Sequence, residues 1–466
     1  MAGEVRIEKD SLGEVQVPRD ALYGAQTQRA LENFPISGQR FPRRFIQALG
    51  LVKRLAAVTN GELGRLEVDL ASAIAEAAGE VEAGAWDDEF VVDVYQTGSG
   101  TSTNMNANEV IARRAQQILG DTGDPVHPND HVNHGQSSND VIPTVIHLAA
   151  RTALEEDLRP ALEELGRELR AKARAFDDVV KSGRTHLMDA TPVRLGQEFG
   201  GWARQVELGI ERLDFASREL AELALGGTAT GTGINTHPEF ARRTIRRINE
   251  ESGLEFVEAS DHFEAQGAKD GAVSVSGVLN TVAASLMKVA DDIRWLASGP
   301  TSGISEITLP AVQPGSSIMP GKVNPVLAEA LMMATTRVMG NHVSVTLAGS
   351  RGNLELNVMM PVLAVALLES IRLLAGASRA FATGCVAGIE ANQDRCRELL
   401  ERNPSIATAL NLRIGYDAAA EVAKEAVKEG MSIREVVIRR GLIPEDELDD
   451  LLDVREMTEP SGTGGD

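Results

Sequence analysis

Four polar, glycine-rich segments carry most of the side chains in this sequence that could do chemistry. They are TGSGTSTNMNANE at residues 97–109, HGQSSNDVIPT at 134–144, GRTHLMDATP at 183–192 and PGSSIMPGKVNP at 314–325. Their hydroxyl and amide groups can hydrogen-bond an anion, and their histidine and lysine can transfer or neutralise charge. Because short polar motifs also occur as ordinary turns, each segment is ambiguous when it is taken alone.

The last of these segments has the features of a mobile loop. Gly315 and Gly321 bracket a pair of serines, and glycines in such places act as hinges. An isolated GSS sequence is more often a capped surface loop than a catalytic one. The polar residues of interest here are Ser316, Lys322, Asn324 and, in the helix that follows, Glu329.

The second segment lies at the predicted start of a long helix. Four polar residues from Ser137 to Asp140 stand just before it, and Pro143 falls in its first turn, where proline is tolerated. One Ser or Asp is sufficient to cap a helix, whereas free N–H groups at a helix start also attract a carboxylate. Capping alone and capping combined with ligand binding therefore both remain open.

The other two segments also allow a purely structural interpretation. Thr185 and His186 follow the helix that begins near residue 140, and a lone histidine is more often structural than catalytic. Ser99 and Thr101 belong to a stretch that could be only a polar turn.

Heptad-like apolar spacing predicts that long helices hold these segments in place. Residues 137–393 therefore indicate a central bundle of long helices, which includes the stretches 326–346 and 355–380. The apolar stripes are Leu154, Leu158, Leu162, Leu165 and Leu169, then Phe199, Trp202, Val206, Ile210 and Leu213, and finally Val275, Leu279, Val282, Leu286, Val289, Ile293 and Leu296.

Two smaller domains are predicted on either side of the bundle. Residues 1–136 form a mixed N-terminal domain, in which short apolar runs are broken by Gly, Pro and Asn and no large sheet is expected. Residues 394–466 form a small C-terminal domain with helices at 417–429 and 431–440. Its end, EMTEPSGTGGD, is polar and glycine-rich and is predicted to be disordered.

Helix length separates two of the candidate residues. If residues 140–180 are helical throughout, they span roughly 60 Å at ~1.5 Å per residue, which places Ser138 and His186 at opposite ends. The two residues can share a site only if antiparallel copies of the chain come together. We therefore expect a site built between subunits.

Composition limits the partners and the location of the protein. The chain has 68 acidic and 46 basic residues, and its net charge of -22 repels nucleic acid and anionic membranes. No uncharged apolar run of roughly 20 residues is present, and the N-terminus is charged where a signal peptide is apolar. We expect a cytoplasmic protein with no membrane partner.

The acidic composition also resembles that of proteins from a salty cytoplasm. Dense carboxylates keep a protein hydrated at high salt, so an acidic, halophilic-like protein is one hypothesis and an acidic mesophilic protein is the other. Full activity and stability at low salt, measured across a salt series, would argue against the first.

The two cysteines do not indicate a metal site or a disulfide framework. Cys385 and Cys396 form no CxxC pair, and no metal-ligand cluster is visible in the sequence. Both thiols are expected to fill small spaces in the core.

The eleven-residue sequence GSSIMPGKVNP is the hallmark of the fumarase/aspartase superfamily, and the four segments together resemble the class II fumarases. Supporting stretches are GGTATGTGINTHPEFARR at 226–243, DIRWLASGP at 292–300 and RIGYDAAAEVAKEA at 413–426. The resemblance implies a mainly α, three-domain fumarase/aspartase-like fold and a homotetramer whose active sites are shared between subunits. It also implies a lyase of the tricarboxylic acid cycle that interconverts fumarate and L-malate without a cofactor or metal.

The resemblance implies roles for individual residues. Ser316 matches the family's catalytic base, and His186 matches a histidine that is paired with a glutamate, here Glu329, and assists water. Lys322 and Asn324 match residues that hold one substrate carboxylate. Further substrate-binding residues are expected at Ser99, Thr101, Ser137, Ser138, Asn139 and Thr185.

A second, non-catalytic dicarboxylate site of the family maps to another part of this chain. Its matching residues are His127, Asn129 and Asp130. An arginine that is sometimes found in this site falls at Asp124, where the chain departs from the pattern.

Two other functions remain open. One is aspartase, which eliminates ammonia from the same carbon skeleton. Aspartase is favoured by Gln313 and the stretches NPVLAE and NVMMP, whereas fumarase is favoured by Gly321 and NTHPE. A non-catalytic, dicarboxylate-binding relative is the third possibility. Such a protein would be expected to lose part of the catalytic set, and this sequence retains it.

Overall fold

The computed structural model describes residues 4–120 and 125–460 of the chain. Helices dominate these residues, as the apolar spacing predicts. The α-helices are α1 (Ala25–Asn33), α2 (Arg43–Glu62), α3 (Val68–Ala83), α4 (Thr101–Leu119), α5 (Ser138–Ala153), α6 (Arg159–Ala175), α7 (Leu195–Glu219), α8 (Phe240–Ser252), α9 (His262–Gly267), α10 (Asp270–Leu296), α11 (Val326–Gly349), α12 (Met360–Gly384), α13 (Gln393–Glu401), α14 (Asn411–Ile414), α15 (Tyr416–Glu429), α16 (Ile433–Arg440) and α17 (Glu445–Leu451).

The strands are short and pair only in twos within the described residues, so the expectation of no large sheet is confirmed there. Four pairs are antiparallel, and the pair of β5 and β6 is parallel. The strands are β1 (Val5–Asp10), β2 (Gly13–Pro18), β3 (Val180–Thr185), β4 (Met188–Arg194), β5 (Glu222–Leu223), β6 (Val257–Glu258), β7 (Ile307–Thr308), β8 (Gly352–Asn353), β9 (Leu356–Asn357) and β10 (Glu390–Ala391). The pairs are β1–β2, β3–β4, β5–β6, β7–β10 and β8–β9.

Tighter and wider helical turns complete the described secondary structure. The 3₁₀ turns are Asp87–Glu89, Val386–Gly388, Pro404–Leu410 and Glu456–Thr458, and the π-helical turns are Pro128–Val132 and Leu154–Leu158.

The predicted apolar stripes are buried. Every member of the stripe from Val275 to Leu296 on α10 is at most 6% exposed, and the leucines from Leu154 to Leu169 are at most 1% exposed. In the stripe on α7, Ile210 is the one member that is only partly buried. The heptad-like spacing therefore identified the helices and their buried faces.

The chain forms two compact units, each built from three stretches of sequence. Unit 1 contains the described parts of Met1–Pro160, Glu211–Ala283 and Ala334–Ala375. In this unit α2 packs against α3, α5 and α8, and α3 packs against α4. Its fully buried side chains include Phe45, Leu49, Val52 and Ile74.

Unit 2 contains the described parts of Ala161–Ile210, Ala284–Met333 and Gly376–Asp466. The β3–β4 hairpin contacts α13 and the 3₁₀ turn Pro404–Leu410, and α15 packs against that turn and α16. The two C-terminal helices predicted at 417–429 and 431–440 are confirmed as α15 and α16. The division of the chain into three domains stays a prediction.

Three local features differ from the expectations or add to them. Helix α5 begins at Ser138, capped by Ser137, so Pro143 lies in its second turn rather than its first. The hairpins β1–β2 and β3–β4 were not predicted. Glu456–Thr458, at the start of the predicted disordered tail, form a 3₁₀ turn, while residues 461–466 lie outside the described part of the chain.

Two described helices are long and apolar enough to cross a membrane by length and composition alone. They are Asp270–Leu296 and Met360–Gly388. Each contains an apolar stretch of 18 residues, and 44% and 67% of that stretch, respectively, is buried within the chain. Core helices of soluble proteins can be equally long and apolar, so this is weak evidence for a membrane.

The free thiols of Cys385 and Cys396 are buried, as expected for core fillers, and burial raises the pKa of each to about 12.

Candidate active site

The start of α4 in unit 1 presents hydroxyl groups beside a closely packed turn. Gly98 is required there because a Cβ atom would lie 1.8 Å from the carbonyl oxygen of Val358. Thr101 is the first residue of α4, and its Oγ1 lies 2.7 Å from Ser99 Oγ. The first N–H groups of a helix lack partners within it, so this end of α4 offers donors to an anion.

The start of α5 meets the start of α4 in the same unit. Ser138 Oγ lies 2.7 Å from Thr101 Oγ1, which joins Ser99, Thr101 and Ser138 into a continuous hydroxyl chain. Two helix starts, each with a positive dipole end, therefore converge on this hydroxyl chain. Such an arrangement suits the binding of a carboxylate.

Capping at α5 uses only some of the polar side chains at its start. The Ser137 side chain accepts the Asn139 N–H, and Asp140 Oδ1 accepts the Ser137 N–H at 2.9 Å, which completes a capping box. Asn139 Nδ2 donates to the Ala229 carbonyl at 2.8 Å. Ser137 and Asp140 thus account for the cap, and Ser138 is not needed for it.

Asp140 is fully buried and also fixes a neighbouring loop. Its Oδ2 accepts the N–H groups of Gly226 at 2.9 Å and of Thr228 at 3.1 Å. Burial raises the pKa of the Asp140 carboxyl, while the hydrogen bonds from these N–H groups lower it. The carboxyl group therefore acts as a structural support beneath the helix start, away from solvent.

The third sequence segment forms the hairpin β3–β4 of unit 2, with Thr185 at the end of β3 and His186 and Leu187 in the turn. Both turn residues have φ of 59° and are exposed. A two-residue turn of this kind favours glycine or asparagine, and a left-handed residue of another type costs about 1–3 kcal/mol. His186 is therefore held in a conformation that its own backbone disfavours.

A buried charge cluster of Lys181, Arg184, Glu198 and Glu306 anchors this hairpin. Arg184 donates to both carboxylate oxygens of Glu306, at 2.8 and 2.9 Å. Lys181 Nζ lies 2.8 Å from Glu198 Oε1 and 3.1 Å from Glu306 Oε2, and Lys181 and Glu306 are 0% exposed. Burial raises the pKa of Glu198. The cluster ties β3 down just before the strained turn that carries His186.

The loop with the predicted base is also in unit 2, and its backbone points at the serine oxygen. Ser316 Oγ accepts the N–H groups of Ile318 at 3.2 Å and Met319 at 3.0 Å. The loop is closed at its base, where the Gly315 N–H donates to the Lys322 carbonyl at 2.9 Å. A Cβ atom at Gly315 would lie 2.1 Å from that oxygen, so only glycine fits. Two N–H donors favour an anionic serine oxygen.

The remaining predicted residues of unit 2 are placed as follows. Asn324 Nδ2 donates to the Gly315 carbonyl at 2.6 Å, while Lys322 and Glu329 are exposed. Among the described residues no hydrogen bond or ion pair joins His186 to Glu329, so their pairing stays a prediction.

The predicted second site is folded around one turn of unit 1. His127 caps the π-helical turn Pro128–Val132, and its Nδ1 accepts the N–H groups of Asn129 at 3.3 Å and Asp130 at 3.1 Å. The turn thus brings His127, Asn129 and Asp130 together. The position of the missing arginine, Asp124, lies outside the described residues.

Sequence reasoning missed the supporting residues, Lys53 and Glu306 among them. Lys53 is a single lysine within the apolar helix sequence FIQALGLVKRLAAV, and this contrast is the signal that could have indicated a buried charge. Glu306 had no comparable signal, because its partners lie more than 100 residues away in sequence. Within residues 4–120 and 125–460, no group of three or more His, Cys, Asp and Glu side chains is arranged to hold a metal ion.

Family models and curated proteins match this chain over nearly its whole length. Residues 13–340 match the family model described as "Lyase", and residues 406–459 match the one described as "Fumarase C C-terminus". A class II fumarate hydratase of Halobacterium salinarum is 56% identical over 100% of both chains. One of Nitrosomonas europaea is 54% identical over 98% of this chain and 99% of its own.

Solved structures give the same result. A class II fumarase from Schistosoma mansoni superposes with a TM-score of 0.95 at 38% identity, over 98% of this chain and 100% of its own. A fumarate lyase:delta crystallin from Brucella melitensis gives a TM-score of 0.92 at 43% identity and the same coverage. The mainly α fumarase/aspartase fold is thereby confirmed, and the chain is a member of the class II fumarate hydratase family.

Proposed function

We propose that this chain catalyses the reversible hydration of fumarate to L-malate. The observation that carries this proposal is the hydroxyl chain of Ser99, Thr101 and Ser138 at two converging helix starts, in a chain 56% identical to a class II fumarate hydratase. A dicarboxylate suits such a surface, because hydroxyl groups and helix starts can both donate hydrogen bonds to a carboxylate.

Dehydration of malate begins at a very weakly acidic proton on C3. Ser316 Oγ removes that proton, and the electron pair moves into the adjacent carboxylate, which becomes an aci-carboxylate with two negative charges. The N–H groups of Ile318 and Met319 lower the cost of the serine alkoxide that is needed as the base. Lys322 and Asn324 hold the carboxylate on which charge develops and stabilise the transition state.

The second half of the reaction releases water. The electron pair of the aci-carboxylate forms the C2–C3 double bond, the C2–O bond breaks, and the departing hydroxide takes a proton through the His186–Glu329 pair. Thr185 and Asn139 contribute further contacts to the substrate. Closure of the loop that carries Ser316 excludes water that could quench the carbanion.

A homotetramer with shared active sites is part of the same proposal. Helices α10 and α11 expose large apolar side chains that an isolated chain leaves uncovered, and such patches mark interaction surfaces. The exposed residues on these helices are Trp295 (47%), Met333 (68%), Val343 (59%) and Leu347 (55%). The assembly is proposed to be cytoplasmic, built from three-domain subunits, with His127, Asn129 and Asp130 forming a second dicarboxylate site.

Mixed tetramers test whether sites are shared. Thr101→Val alters the helix-start half of the site, and Ser316→Ala alters the loop half. If the two halves come from different subunits, equal mixing with random reassembly should leave about one quarter of the sites intact. Turnover of the mixture should then exceed that of either variant alone by far. A mixture no more active than the average of its two parents would contradict shared sites.

The function itself is tested by the ultraviolet absorbance of fumarate, with malate or aspartate as substrate in high-salt buffer. Fumarate formed from malate and not from aspartate is the expected result. Fumarate formed only from aspartate would identify an aspartase instead. Tight dicarboxylate binding without turnover of either substrate would identify a binding protein.

A further inference from the structure

Lys53 is a buried cation close to the helix-start half of the site, and no catalytic step uses it. It lies on α2, is 0% exposed, and is among the largest fully buried side chains of the described chain. Its Nζ donates to Asn133 Oδ1 at 2.9 Å and to Gln136 Oε1 at 3.0 Å. A buried lysine is costly, so a position that keeps one calls for a physical reason.

The two amides that Lys53 contacts belong to the segment that leads into α5. Asn133 Nδ2 donates to the Gln136 carbonyl at 3.1 Å, and Gln136 Nε2 donates to the Val132 carbonyl at 3.2 Å. Gln136 immediately precedes the cap residue Ser137. Lys53 therefore sits at the centre of the hydrogen bonds that set where α5 begins.

The segment 133–136 also contacts the start of α4 and a later turn of α2. Asn104 Nδ2, one turn after Thr101, donates to Asn133 Oδ1 at 3.2 Å. Asn60 Nδ2, two turns after Lys53 on α2, donates to the His134 carbonyl at 3.0 Å. A single ammonium group is thus linked, through Asn133 and Gln136, to both helix starts that carry the hydroxyl chain.

The charges around Lys53 are few. Asp140 on α5 is the acidic group that acts on it, while Glu82 of α3 and Glu251 of α8 pair with Arg54, the next residue of α2. His134, in the same segment as Asn133, has its Nδ1 against the Asp130 carbonyl. Burial lowers the pKa of Lys53 to about 7, and the charge of Asp140 opposes that change. The ammonium therefore loses its proton within the physiological pH range.

We propose that Lys53 is a positioning residue for substrate binding: its ammonium holds the 133–136 segment, aligns the starts of α4 and α5, and adds positive charge behind the bound carboxylate. This inference rests on the proposed function, because it assigns a carboxylate to the hydroxyl chain. The alternative is that Lys53 only fills space in the core of unit 1.

Another buried lysine of unit 1 provides a matched control. Lys269 is 2% exposed, and its Nζ donates to main-chain carbonyls, among them those of Ala265 at 2.7 Å and Gln266 at 3.1 Å. Burial likewise lowers its pKa, to about 8. Lys269→Met therefore removes a buried ammonium that has no hydrogen bond to Asn133 or Gln136.

The test compares KM and kcat for malate in Lys53→Met, Lys53→Arg and Lys269→Met between pH 6 and pH 9. Lys53→Met should raise KM about tenfold at pH 6, where the native ammonium is charged, because a hydrogen-bonded charge is lost. The difference in KM between Lys53→Met and the native protein should narrow toward pH 9, because native Lys53 loses its proton there. Lys53→Arg should keep KM low across the range, and Lys269→Met should leave KM within about twofold of native.

Binding of succinate, measured as the rise in Tm that saturating ligand produces, gives a readout that does not require turnover. Lys53→Met should reduce that rise at pH 6, whichever reaction the protein catalyses. The proposal would be overturned if Lys53→Met left both KM and the protection by succinate unchanged. It would also be overturned if Lys269→Met weakened substrate binding as much as Lys53→Met does. If Lys53→Arg does not fold, the pH dependence of KM in Lys53→Met decides between a positioning role and a space-filling role for Lys53. If succinate protects the native protein but the protein does not turn over malate, the result would contradict the proposed reaction and not the role of Lys53.

Discussion

Replacing Ser316 by alanine should lower kcat for malate dehydration by about a thousandfold, while the fold and the assembly remain unchanged. The substitution removes the oxygen that accepts the C3 proton. The two N–H groups that now point at that oxygen, from Ile318 and Met319, would remain in place without a base to stabilise. Ser316 is only partly buried and Ile318 and Met319 are exposed, so the loss of one hydroxyl leaves no buried group unpaired. Initial rates of fumarate formation at saturating malate measure the effect.

The neighbouring serine is the natural control. Ser317 lies in the same exposed loop, and Ser317→Ala makes the same chemical change one residue away. This variant should retain turnover within about twofold of native, since exposed surface substitutions have small effects. If Ser316→Ala kept more than a tenth of native turnover, the base would have to be sought elsewhere.

Glu306→Gln should destabilise the chain by about 3–5 kcal/mol, because it leaves buried cations without their partner. Glu306 accepts both hydrogen bonds of Arg184 and lies 3.1 Å from Lys181, whose side chain is 0% exposed. Glutamine keeps the shape of the side chain but carries no charge. The free energy of unfolding, from denaturant titration at fixed protein concentration, measures this loss.

A surface ion pair shows whether the effect depends on burial. Glu398→Gln breaks a pair with Arg395 in which Glu398 is 47% exposed, and it should leave the denaturation midpoint unchanged. Glu306→Gln should also lower kcat, because Arg184, which Glu306 holds, lies two residues before His186 in the strained turn. Equal shifts of the midpoint in the two variants would show that the buried charge cluster does not anchor the hairpin.

The helices and the site motifs could be predicted from the sequence because each has a strong local signal. The seven apolar residues from Val275 to Leu296 identified α10, since helical spacing is set by the geometry of one element alone. The hydroxyl groups of Thr101 and Ser138 were likewise visible as parts of polar segments. Their 2.7 Å contact was not, because it joins residues of two different helices that are 37 positions apart in sequence.

The features that the sequence did not reveal depend on tertiary context. The start of α5 was misplaced because its cap uses Ser137 together with Asp140, and several Ser and Asn residues there were equally good candidates. The β3–β4 turn has no glycine or asparagine to mark it. The strand that leads into it is held through Arg184 by Glu306, which is more than 100 residues distant in sequence. Local propensity cannot predict a turn that distant charges stabilise.

That turn also has a consequence for protein engineering. Because Leu187 adopts φ of 59°, a screen of variants for heat tolerance alone will favour Leu187→Gly, which removes the conformational penalty. The same change widens the range of orientations open to the neighbouring His186. Libraries that include this hairpin therefore need selection for turnover alongside selection for heat tolerance, or they will enrich robust but slow enzymes.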